Sequence, residues 1–547
     1  MDFVKTAPLN ATAGWEGMFD GATCERLETV NFPEYLPKQR WFAGKSHHIQ
    51  STRILDWTIF NSTNSALVLV EVRFDGGVSD VYLMVLALTF GDAAEDLQKT
   101  SPSAIIAPVI SDRGHGLLHD GVFNDSVCRE LLSFIQDQRD LETRHGRVRG
   151  LRGKAFLDLL GTIADPLPVR RGSAEQSNTS ILYGGRFILK MLRRQEPGLN
   201  PDAEIGRYLT EKARFDRVPP FAGSIEYEPR ADGEPSALAM LQGLVANEGD
   251  GWKWTIEELE RYLETCAPLP FPEHLDAERE DPVELSQMPP SQLARDHVGI
   301  YLDSAITLGR RTAELHLALA SARDDPAFAP EPLTAGDFQV LLAGLQQHAS
   351  RVFDVLKKHV PQLPDEVLEI AAAVLSRRTR ILAHFSGALQ SNIFQTGRIR
   401  VHGDYHLGQV LRVKTDFVIL DFEGEPARPL ADRRTKQCPL KDVAGMLRSF
   451  SYAAYSSLIN YTARHAQSIA SLEPWVRLWE QCVATEFLRA YRETIRGARL
   501  LPENTDAFRK VLDVFLVDKA LYEVLYELNA RPSWVRIPLM GIMSLQL

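Results

Sequence analysis

The stretch VHGDYHLGQVLRVKTDFVILDFEGEP, residues 401–426, constrains the fold more than any other part of the chain. It predicts a strand ending at Val401, followed by a polar loop from His402 to Gly408. Two short apolar runs then predict a β-hairpin, and a second, acidic loop begins at Asp421. The hairpin is therefore expected to hold two polar loops next to each other.

The polar residues of these loops have the spacing of a phosphoryl-transfer site. His402, Asp404 and Gln409 follow the pattern H-x-D-x-x-x-x-N of a protein-kinase catalytic loop, with Gln replacing Asn. Asp421 opens D-F-E, where kinases carry D-F-G. This chemistry needs a carboxylate at the acceptor hydroxyl and oxygen ligands for the metal that bridges the phosphates. We predict that Asp404 is catalytic, with a structural acidic loop as the alternative. The predicted Mg²⁺ ligands are Gln409, Asp421 and Glu423.

An earlier hairpin supplies candidates for nucleotide binding. Strands are predicted over 178–183 and 186–191, joined by a Gly-Gly turn that tolerates positive φ. The preceding segment is rich in small hydroxyl and amide side chains, which suit phosphate oxygens. Lys190 stands where kinases carry the lysine that pairs with a helix glutamate, here Glu204. The alternative is a surface hairpin with an exposed lysine. The predicted ATP-binding residues, two of them in the strand that leads to the hinge, are Ser177, Asn178, Thr179, Lys190, Glu204, Met240 and Gln242.

The order of predicted elements indicates an α+β protein with a bilobal fold like that of eukaryotic protein kinases. Strands dominate the first part of the chain, and helices dominate downstream of Gln292. We predict an N-terminal α/β cap subdomain at 1–140, a β-rich nucleotide-binding N-lobe with the hinge at 141–245, and a helical C-lobe at 246–547. The acidic, proline-rich segment 268–290 is predicted to be an exposed insertion of this lobe.

Two further features have structural interpretations. Asp442 opens a predicted helix after the second acidic loop, so it either braces the catalytic loop through backbone N–H groups or simply caps the helix. The basic cluster between Arg144 and Lys154 is interleaved with glycines, which favours a solvated linker over a binding patch.

The composition excludes several classes of protein. A net charge of −11 and a pI of about 5.8 argue against non-specific binding to nucleic acid or to an anionic membrane. The sequence shows no secretion-type leader and no run of about 18 apolar residues. Its 5 cysteines are scattered without metal-binding spacing. We therefore expect a cytoplasmic enzyme without a nucleic-acid or membrane partner.

Several blocks of the sequence resemble the bacterial maltokinases, relatives of the aminoglycoside phosphotransferases. They are YLPKQRWFAGK, EQSNTS, HGDYHLGQVL with DFEGEP, and DKALYEVLYELNARPSWVRIPL, and they extend from about residue 35 to residue 541. The resemblance implies a capped kinase-like fold that uses ATP and Mg²⁺ to phosphorylate maltose at its anomeric hydroxyl. It also implies a role beside trehalose synthase in the synthesis of glycogen-like glucan.

The C-terminal block contains candidates for the acceptor site. Aromatic rings stack on the C–H surface of a sugar, while charged groups form hydrogen bonds with its hydroxyls. On helical spacing alone a solvated outer face is favoured, whereas the resemblance favours a sugar-binding face. The predicted acceptor-binding residues, including one in the catalytic loop, are His406, Lys519, Tyr522, Glu523 and Tyr526.

Other functions stay open beside a maltose kinase. Tyr405, where Leu is commoner in the maltokinases, lies on the expected substrate side of the catalytic loop. The acceptor can therefore be another sugar, such as glucosamine. A catalytically silent kinase-like partner of trehalose synthase is the third hypothesis, and the retained Lys190, Asp404 and Asp421 argue against it.

Overall fold

The computed structural model describes residues 7–162, 166–172, 178–231, 233–272, 281–289, 292–387, 396–426, 428–465 and 468–545. Two compact units are formed, unit 1 from Met1–Glu211 and Pro219–Val245, and unit 2 from Lys212–Val218 and Ala246–Leu547. Sheets dominate unit 1 and helices dominate unit 2, which confirms the predicted α+β class. The subdomain boundary at residue 140 falls inside unit 1 and stays a prediction.

A mostly antiparallel sheet forms the N-terminal part of unit 1. Its strands are β1 Leu9–Asn10, β2 Ile49–Phe60, β3 Ser65–Phe74, β4 Ser79–Phe90, β5 Ile105–Ser111, β6 Gly114–Asp120 and β12 Arg194–Gln195. The strand order is β1-β5-β6-β4-β3-β2, with β12 paired to β4. The turn between β3 and β4 contains Gly76 and Gly77, which have the positive φ that such a turn requires.

A second antiparallel sheet completes unit 1. Its strands are β7 Asp140–Glu142, β8 Gly146–Arg152, β9 Val169–Arg171, β10 Asn178–Tyr183, β11 Phe187–Leu192, β13 Phe221–Pro229 and β14 Ser236–Gly243, in the order β7-β8-β13-β14-β11-β10-β9. The basic cluster lies in β8, where Arg147 and Arg149 pair with Glu228 of β13 at 2.5 and 2.8 Å. The interpretation of this cluster as a solvated linker was wrong, because its backbone is hydrogen-bonded within the sheet.

Two hydrophobic cores share the strands of the first sheet. Successive side chains of a strand point to opposite faces. Leu67 and Leu69 of β3 therefore join a core that also contains Leu189 of the second sheet, while Val68 and Val70 join a core below the N-terminal helices. This explains why β3 and β4 are apolar on both faces. The helices of unit 1 are α1 Gly14–Met18, α2 Gly21–Arg26, α3 Phe32–Tyr35, α4 Asp92–Thr100, α5 Asp125–Gln136, α6 Phe156–Leu160 and α7 Pro201–Tyr208.

Unit 2 is a helical domain with two small two-stranded sheets. Its helices are α8 Gly251–Cys266, α9 Pro282–Leu285, α10 Gln292–Val298, α11 Tyr301–Leu319, α12 Ala335–His359, α13 Asp365–Ser376, α14 Arg378–Gly387, α15 Leu430–Arg433, α16 Leu440–Arg464, α17 Ile469–Ile495, α18 Thr505–Ala530 and α19 Arg536–Ser544. Its strands are β15 Glu331–Pro332, β16 Gly397–Arg398, β17 Val410–Val413 and β18 Asp416–Ile419. The hairpin of β17 and β18 is the one predicted between the two polar loops.

The segment 268–290 differs from its prediction where the structure describes it. Its residues 273–280 and 290 lie outside the described part of the chain. Val283 of α9 is buried, and Arg489 of α17 donates to the carbonyl of Ser286 at 3.1 Å. This part of the segment is therefore packed against α17 and is not an exposed insertion. No helix within the described residues is long and apolar enough to cross a membrane.

Candidate functional site

The catalytic loop of unit 2 is held by Asp442, in the first turn of α16. The backbone N–H groups of His402 and Gly403 donate to the two oxygens of its carboxylate at 2.8 and 2.9 Å. His316 of α11 contacts the same carboxylate at 3.1 Å. Burial would raise the pKa of Asp442, but the hydrogen bond from His316 and the charges around it keep this pKa below its usual value. Asp442 is therefore the brace of the loop, one of the two alternatives that the sequence left open.

The ring of His402 fixes the backbone around Asp404. Its Nε2 lies 2.9 Å from the carbonyl oxygen of Leu420, so the proton resides on Nε2 and the nitrogen donates to that carbonyl. Nδ1 is then free to accept the N–H of Asp404, at 3.4 Å. One imidazole thus connects the start of the catalytic loop to the end of β18, immediately before the second acidic loop.

Asp404 forms an ion pair with Lys519 of α18. The ammonium lies 3.0 Å from Oδ1, and His406 Nε2 lies 4.0 Å from Oδ2. Burial would raise the pKa of Asp404, but Lys519 and then His406 outweigh it, so the pKa lies below its usual value. Burial lowers the pKa of His406. The pKa of Lys519 would also fall on burial, but the surrounding carboxylates, led by Asp404, raise it above its usual value. The carboxylate is therefore ionised and fixed in orientation.

Tyr405 does not reach the substrate side of the loop. Its ring is buried, and its hydroxyl lies 3.1 Å from the hydroxyl of Thr312 on α11. The expectation that this residue bears on sugar identity was wrong, because its side chain points into the helical core. Burial raises the pKa of its phenol well above the usual value, so it stays neutral.

The predicted metal ligands Gln409 and Asp421 lie next to each other. Gln409 ends the turn before β17, Asp421 follows β18, and the amide nitrogen of Gln409 is 2.9 Å from Asp421 Oδ2. Asp421 has φ of +71°, a left-handed conformation that Asp tolerates better than most side chains. Amide and carboxylate oxygens are the donors that Mg²⁺ prefers, so the residue types suit a magnesium ion, although the contact present here joins the carboxylate to the amide nitrogen. Glu423 lies two residues on, with its backbone carbonyl accepting from Arg433 at 3.1 Å.

In unit 1, Lys190 of β11 lies close to the start of α7. Its ammonium is 3.3 Å from Asp202 Oδ2, and both side chains are buried. Asn200 caps the helix by accepting the N–H of Asp202 at 2.8 Å. Glu204 follows on the same helix, and its pairing with Lys190 stays a prediction. The sequence did not single out Asp202, although an acidic residue in the first turn of a helix is favoured by the helix dipole.

Two of the residues predicted for phosphate binding lie in β10. Asn178 is its first residue, and Thr179 Oγ1 accepts a hydrogen bond from Arg193 Nε at 2.8 Å. Arg193 is fully buried and also donates to Asp120 of the first sheet at 2.6 Å. Ser177 lies outside the described residues. The phosphate contacts of these residues stay predictions.

Met240 and Gln242 do not have the free backbone groups expected of a hinge. Met240 pairs with Lys190 of β11 on one side and with β13 on the other, and Gln242 is likewise paired on both sides. In an antiparallel ladder both backbone polar groups of such residues are used within the sheet. The assignment of Met240 and Gln242 as adenine-binding positions was therefore wrong. Unpaired backbone can begin only beyond Leu244, whose N–H still donates to the carbonyl of Arg186 at 2.8 Å.

The face of α18 is only partly open. The ring of Tyr522 lies 5.0 Å from the ammonium of Lys519, and Tyr526 is 53% exposed. Glu523, in contrast, is 8% exposed and pairs with Arg448 of α16 at 2.7 Å. The carboxylate of Glu523 is held through Oε2 by a buried guanidinium, and its contact with the acceptor stays a prediction.

A second charged group beside Lys519 was missed. Glu425 is buried and contacts Arg428 and, at 3.7 Å, Lys441. Its negative charge contributes to the raised pKa of Lys519. Glu425 belongs to the block DFEGEP, but nothing in spacing alone distinguished it from a solvated acid. The pair of Asp518 with His348, 2.9 Å apart, had no signal in the sequence because it joins two distant helices.

Comparisons with known proteins bear on the N-terminal part first. Residues 35–123 match the family model described as the maltokinase N-terminal cap domain. These residues form a maltokinase-type cap. The resemblance to the maltokinases is confirmed in this segment, which contributes strands β2 to β6 of the first sheet.

Relatives match a larger share of the chain. A glucosamine kinase from Streptacidiphilus jiangxiensis is 25% identical over 396 residues, which cover 72% of this chain and 76% of the relative. A glucosamine kinase from Mycolicibacterium smegmatis is 22% identical over 372 residues, covering 67% of this chain and 76% of the relative. A solved structure of a glucosamine kinase in complex with glucosamine, ADP and inorganic phosphate superposes with a TM-score of 0.61 at 20% identity, covering 95% of this chain and 100% of that chain. The fold is therefore that of a capped kinase.

Proposed function

We propose that this protein is a kinase that transfers the terminal phosphoryl group of ATP to a hydroxyl group of a sugar. The observation that carries the proposal is the pair of Asp404 with Lys519 on a loop braced by Asp442. A catalytic carboxylate must be held in one orientation if it is to align an acceptor hydroxyl. Here the backbone on one side of Asp404 and the ammonium on the other provide that constraint.

Asp404 is assigned to the acceptor hydroxyl. Lys519 occupies Oδ1, so Oδ2 is the atom that accepts the hydrogen bond of the hydroxyl. Because the pKa of Asp404 is below its usual value, the carboxylate is a weak base before reaction, and its first task is to orient the nucleophile. It takes the proton as the new O–P bond forms, when the hydroxyl becomes acidic.

Gln409, Asp421 and Glu423 are proposed to hold Mg²⁺ through oxygen. The ion, when bound, neutralises negative charge on the phosphates. The hairpin of β17 and β18 sets the spacing of these residues, since Leu420 N–H donates to the carbonyl of Gln409 at 3.0 Å.

The nucleotide is assigned to unit 1. Lys190 is proposed to contact phosphate oxygens, with Asp202 and Glu204 on α7 as candidates for orienting its ammonium. Ser177, Asn178 and Thr179 are proposed to supply hydrogen bonds to the phosphates, as the sequence pattern suggested.

Maltose is the proposed acceptor, phosphorylated at its anomeric hydroxyl to maltose 1-phosphate. Support comes from the match of the cap to the maltokinase model and from the resemblance of both polar loops to the same family. Tyr522, Tyr526 and His406 are proposed to contact the sugar, because they are the polar and aromatic side chains around Lys519 that remain accessible. On this proposal the product feeds glucan synthesis, with trehalose synthase as a functional partner.

Glucosamine is the second candidate acceptor. It is favoured by the two glucosamine kinases, whose matched regions are much longer than the cap. The two sugars differ in charge and size, since glucosamine carries an ammonium group at neutral pH and maltose is a neutral disaccharide. Their turnover is therefore easy to distinguish.

A coupled assay of ADP release against maltose, glucosamine, glucose and trehalose tests the proposal. We expect turnover with ATP and Mg²⁺ that depends on maltose, and a maltose phosphate that lacks a reducing end. Turnover with glucosamine alone would replace the first candidate by the second. No sugar-dependent ADP release from folded protein that binds ATP would favour the silent partner and contradict the proposal.

A further inference from the structure

A cavity of about 400 Å³ lies inside unit 2, away from the catalytic loop. Helices α16, α17, α18 and α19 provide most of its walls, and neither Asp404 nor Lys519 lines it. Asp513, in the wall, precedes Lys519 by six residues of α18, about one and two-thirds turns or 9 Å at about 1.5 Å per residue. The cavity is thus distinct from the acceptor site proposed above. Its volume is at the lower end of the range of roughly 300–1,000 Å³ for small-molecule sites.

The charges in the walls are balanced, which disfavours an anionic ligand. Each arginine or lysine side chain that lines the cavity has an acidic partner within 3 Å. These pairs are Arg448 with Glu523 at 2.7 Å, Arg477 with Glu473 at 2.6 Å, Arg509 with Asp506 at 2.8 Å and Lys510 with Asp506 at 2.9 Å. A phosphate or carboxylate would have to compete with these acids for each cation.

Polar groups that point to hydroxyl ligands line the same space. Burial raises the pKa of Asp513 to about 7, with the charge of Asp281 adding to the effect, so near neutral pH its carboxyl group can both donate and accept. His384 Nε2 is buried and has no hydrogen-bond partner among the described residues. Ser451 and Ser544 also line the wall; Ser451 Oγ accepts from Arg448 at 3.3 Å, and Ser544 Oγ donates to the carbonyl of Gly541 at 2.7 Å. Nε2 of His384 is enclosed by the protein, so the ligand contact assigned to this wall is the carboxyl group of Asp513.

Apolar side chains complete the walls. Leu447, Leu488, Leu512 and Leu516 provide C–H surface on three helices. A sugar ring presents C–H groups on its faces and hydroxyls around its edge, and therefore matches a wall of mixed leucine and polar character. A purely apolar ligand would leave the carboxyl group of Asp513 unsatisfied.

We propose that this cavity is a second saccharide site, which binds one neutral polyhydroxylated molecule of mono- or disaccharide size. It connects to the catalytic loop through Arg448, since Glu523, the partner of Arg448, lies one turn of α18 after Lys519. Gly541 packs against that arginine so closely that an added Cβ would lie 2.1 Å from Arg448 Nη1. The arginine is thus fixed between the cavity and the helix that holds Asp404.

The test is isothermal titration of the full-length protein with maltose as the probe. Ala484 of α17 lines the cavity and is buried, so Ala484→Phe places a ring inside it. Ser544→Trp fills the same space from α19, in case the first variant fails to fold. Ala343→Phe, at an exposed position of α12, is the matched control.

We expect both filled variants to lose one maltose-binding component that wild type and Ala343→Phe retain, while their turnover at low sugar stays within about twofold of wild type. Unchanged stoichiometry and affinity in a folded filled variant would overturn the proposal. Stronger binding of glucuronate than of maltose at the lost component would overturn the assignment to a neutral ligand. The titration measures binding and does not depend on phosphorylation. If maltose is not phosphorylated, the proposed function fails, but the loss of a binding component in the filled variants can still be observed.

Discussion

Replacing Asp442 by Asn tests whether the brace of the catalytic loop contributes to turnover. The carboxylate accepts N–H groups from His402 and Gly403, one on each oxygen, at 2.8 and 2.9 Å. Asparagine keeps one accepting oxygen and turns a donating NH₂ toward the other N–H. A hydrogen bond to a charged group contributes about 1.5–3 kcal/mol, and this variant removes one of two. If this loss of free energy raises the barrier to transfer by misplacing Asp404, kcat falls by about 10- to 150-fold, since about 1.36 kcal/mol corresponds to a factor of ten in rate.

The assay is steady-state ADP release with ATP and sugar varied in turn. We expect kcat to fall while the KM for ATP changes less than threefold, because the nucleotide contacts are not altered. Asp506→Asn is the matched control, since Asp506 also lies in the first turn of a helix and its ion pairs among the described residues are with Arg509 and Lys510 of the same helix. A kcat within threefold of wild type in folded Asp442→Asn would refute the role of the brace.

Three further changes test other parts of the account. Lys519→Met removes the charge that holds the pKa of Asp404 low, so burial then raises this pKa. Because activity needs the ionised carboxylate, we expect the acid limb of the kcat–pH profile to move to higher pH. An acid limb at the wild-type pH would contradict the role of the pair. Asp421→Ala should abolish Mg²⁺-dependent binding of ATP in calorimetry, and unchanged affinity would exclude it as a ligand. Glu523→Ala leaves Arg448 buried without its partner, which lowers the free energy of unfolding by about 3–5 kcal/mol and so lowers the denaturation midpoint of unit 2. A midpoint equal to that of wild type would mean that the pair is not buried.

The two polar loops could be predicted from sequence because their geometry is local. Gln409 and Asp421 are separated by a short hairpin, and a hairpin of this length brings its two ends together. The cap of α7 by Asn200 and the bounds of α18 were predictable for the same reason, since capping residues and helical periodicity act within a few residues.

Contacts between distant helices could not be predicted in this way. Periodicity showed that Lys519 and Glu523 share a face of α18. It did not show that Lys519 would pair with Asp404, or Glu523 with Arg448. Tyr405, a departure from the maltokinase pattern, was expected on the substrate side of the catalytic loop. Its partner Thr312 belongs to a helix about ninety residues earlier.

The hinge was misplaced because strand ends are poorly marked by composition. The run 236–244 is apolar to its end, and the sequence does not show that β13 pairs with β14 along its second edge. That pairing uses the backbone of Met240 and Gln242. Helix α17 shows a similar limit, since it begins at Ile469 and continues through Pro474, although proline favours the first turn of a helix.

The central claim is that Asp404 orients a sugar hydroxyl and takes its proton as the hydroxyl accepts the terminal phosphoryl group of ATP, and Asp404→Asn tests it most directly. Rapid-quench single turnover with ATP, Mg²⁺ and saturating maltose measures the transfer step, while calorimetry measures the affinity for ATP. The account predicts that transfer slows by roughly 10²-fold or more, since an amide cannot take the proton, and that ATP affinity stays within threefold of wild type. Transfer at more than a tenth of the wild-type rate would contradict the assignment of Asp404.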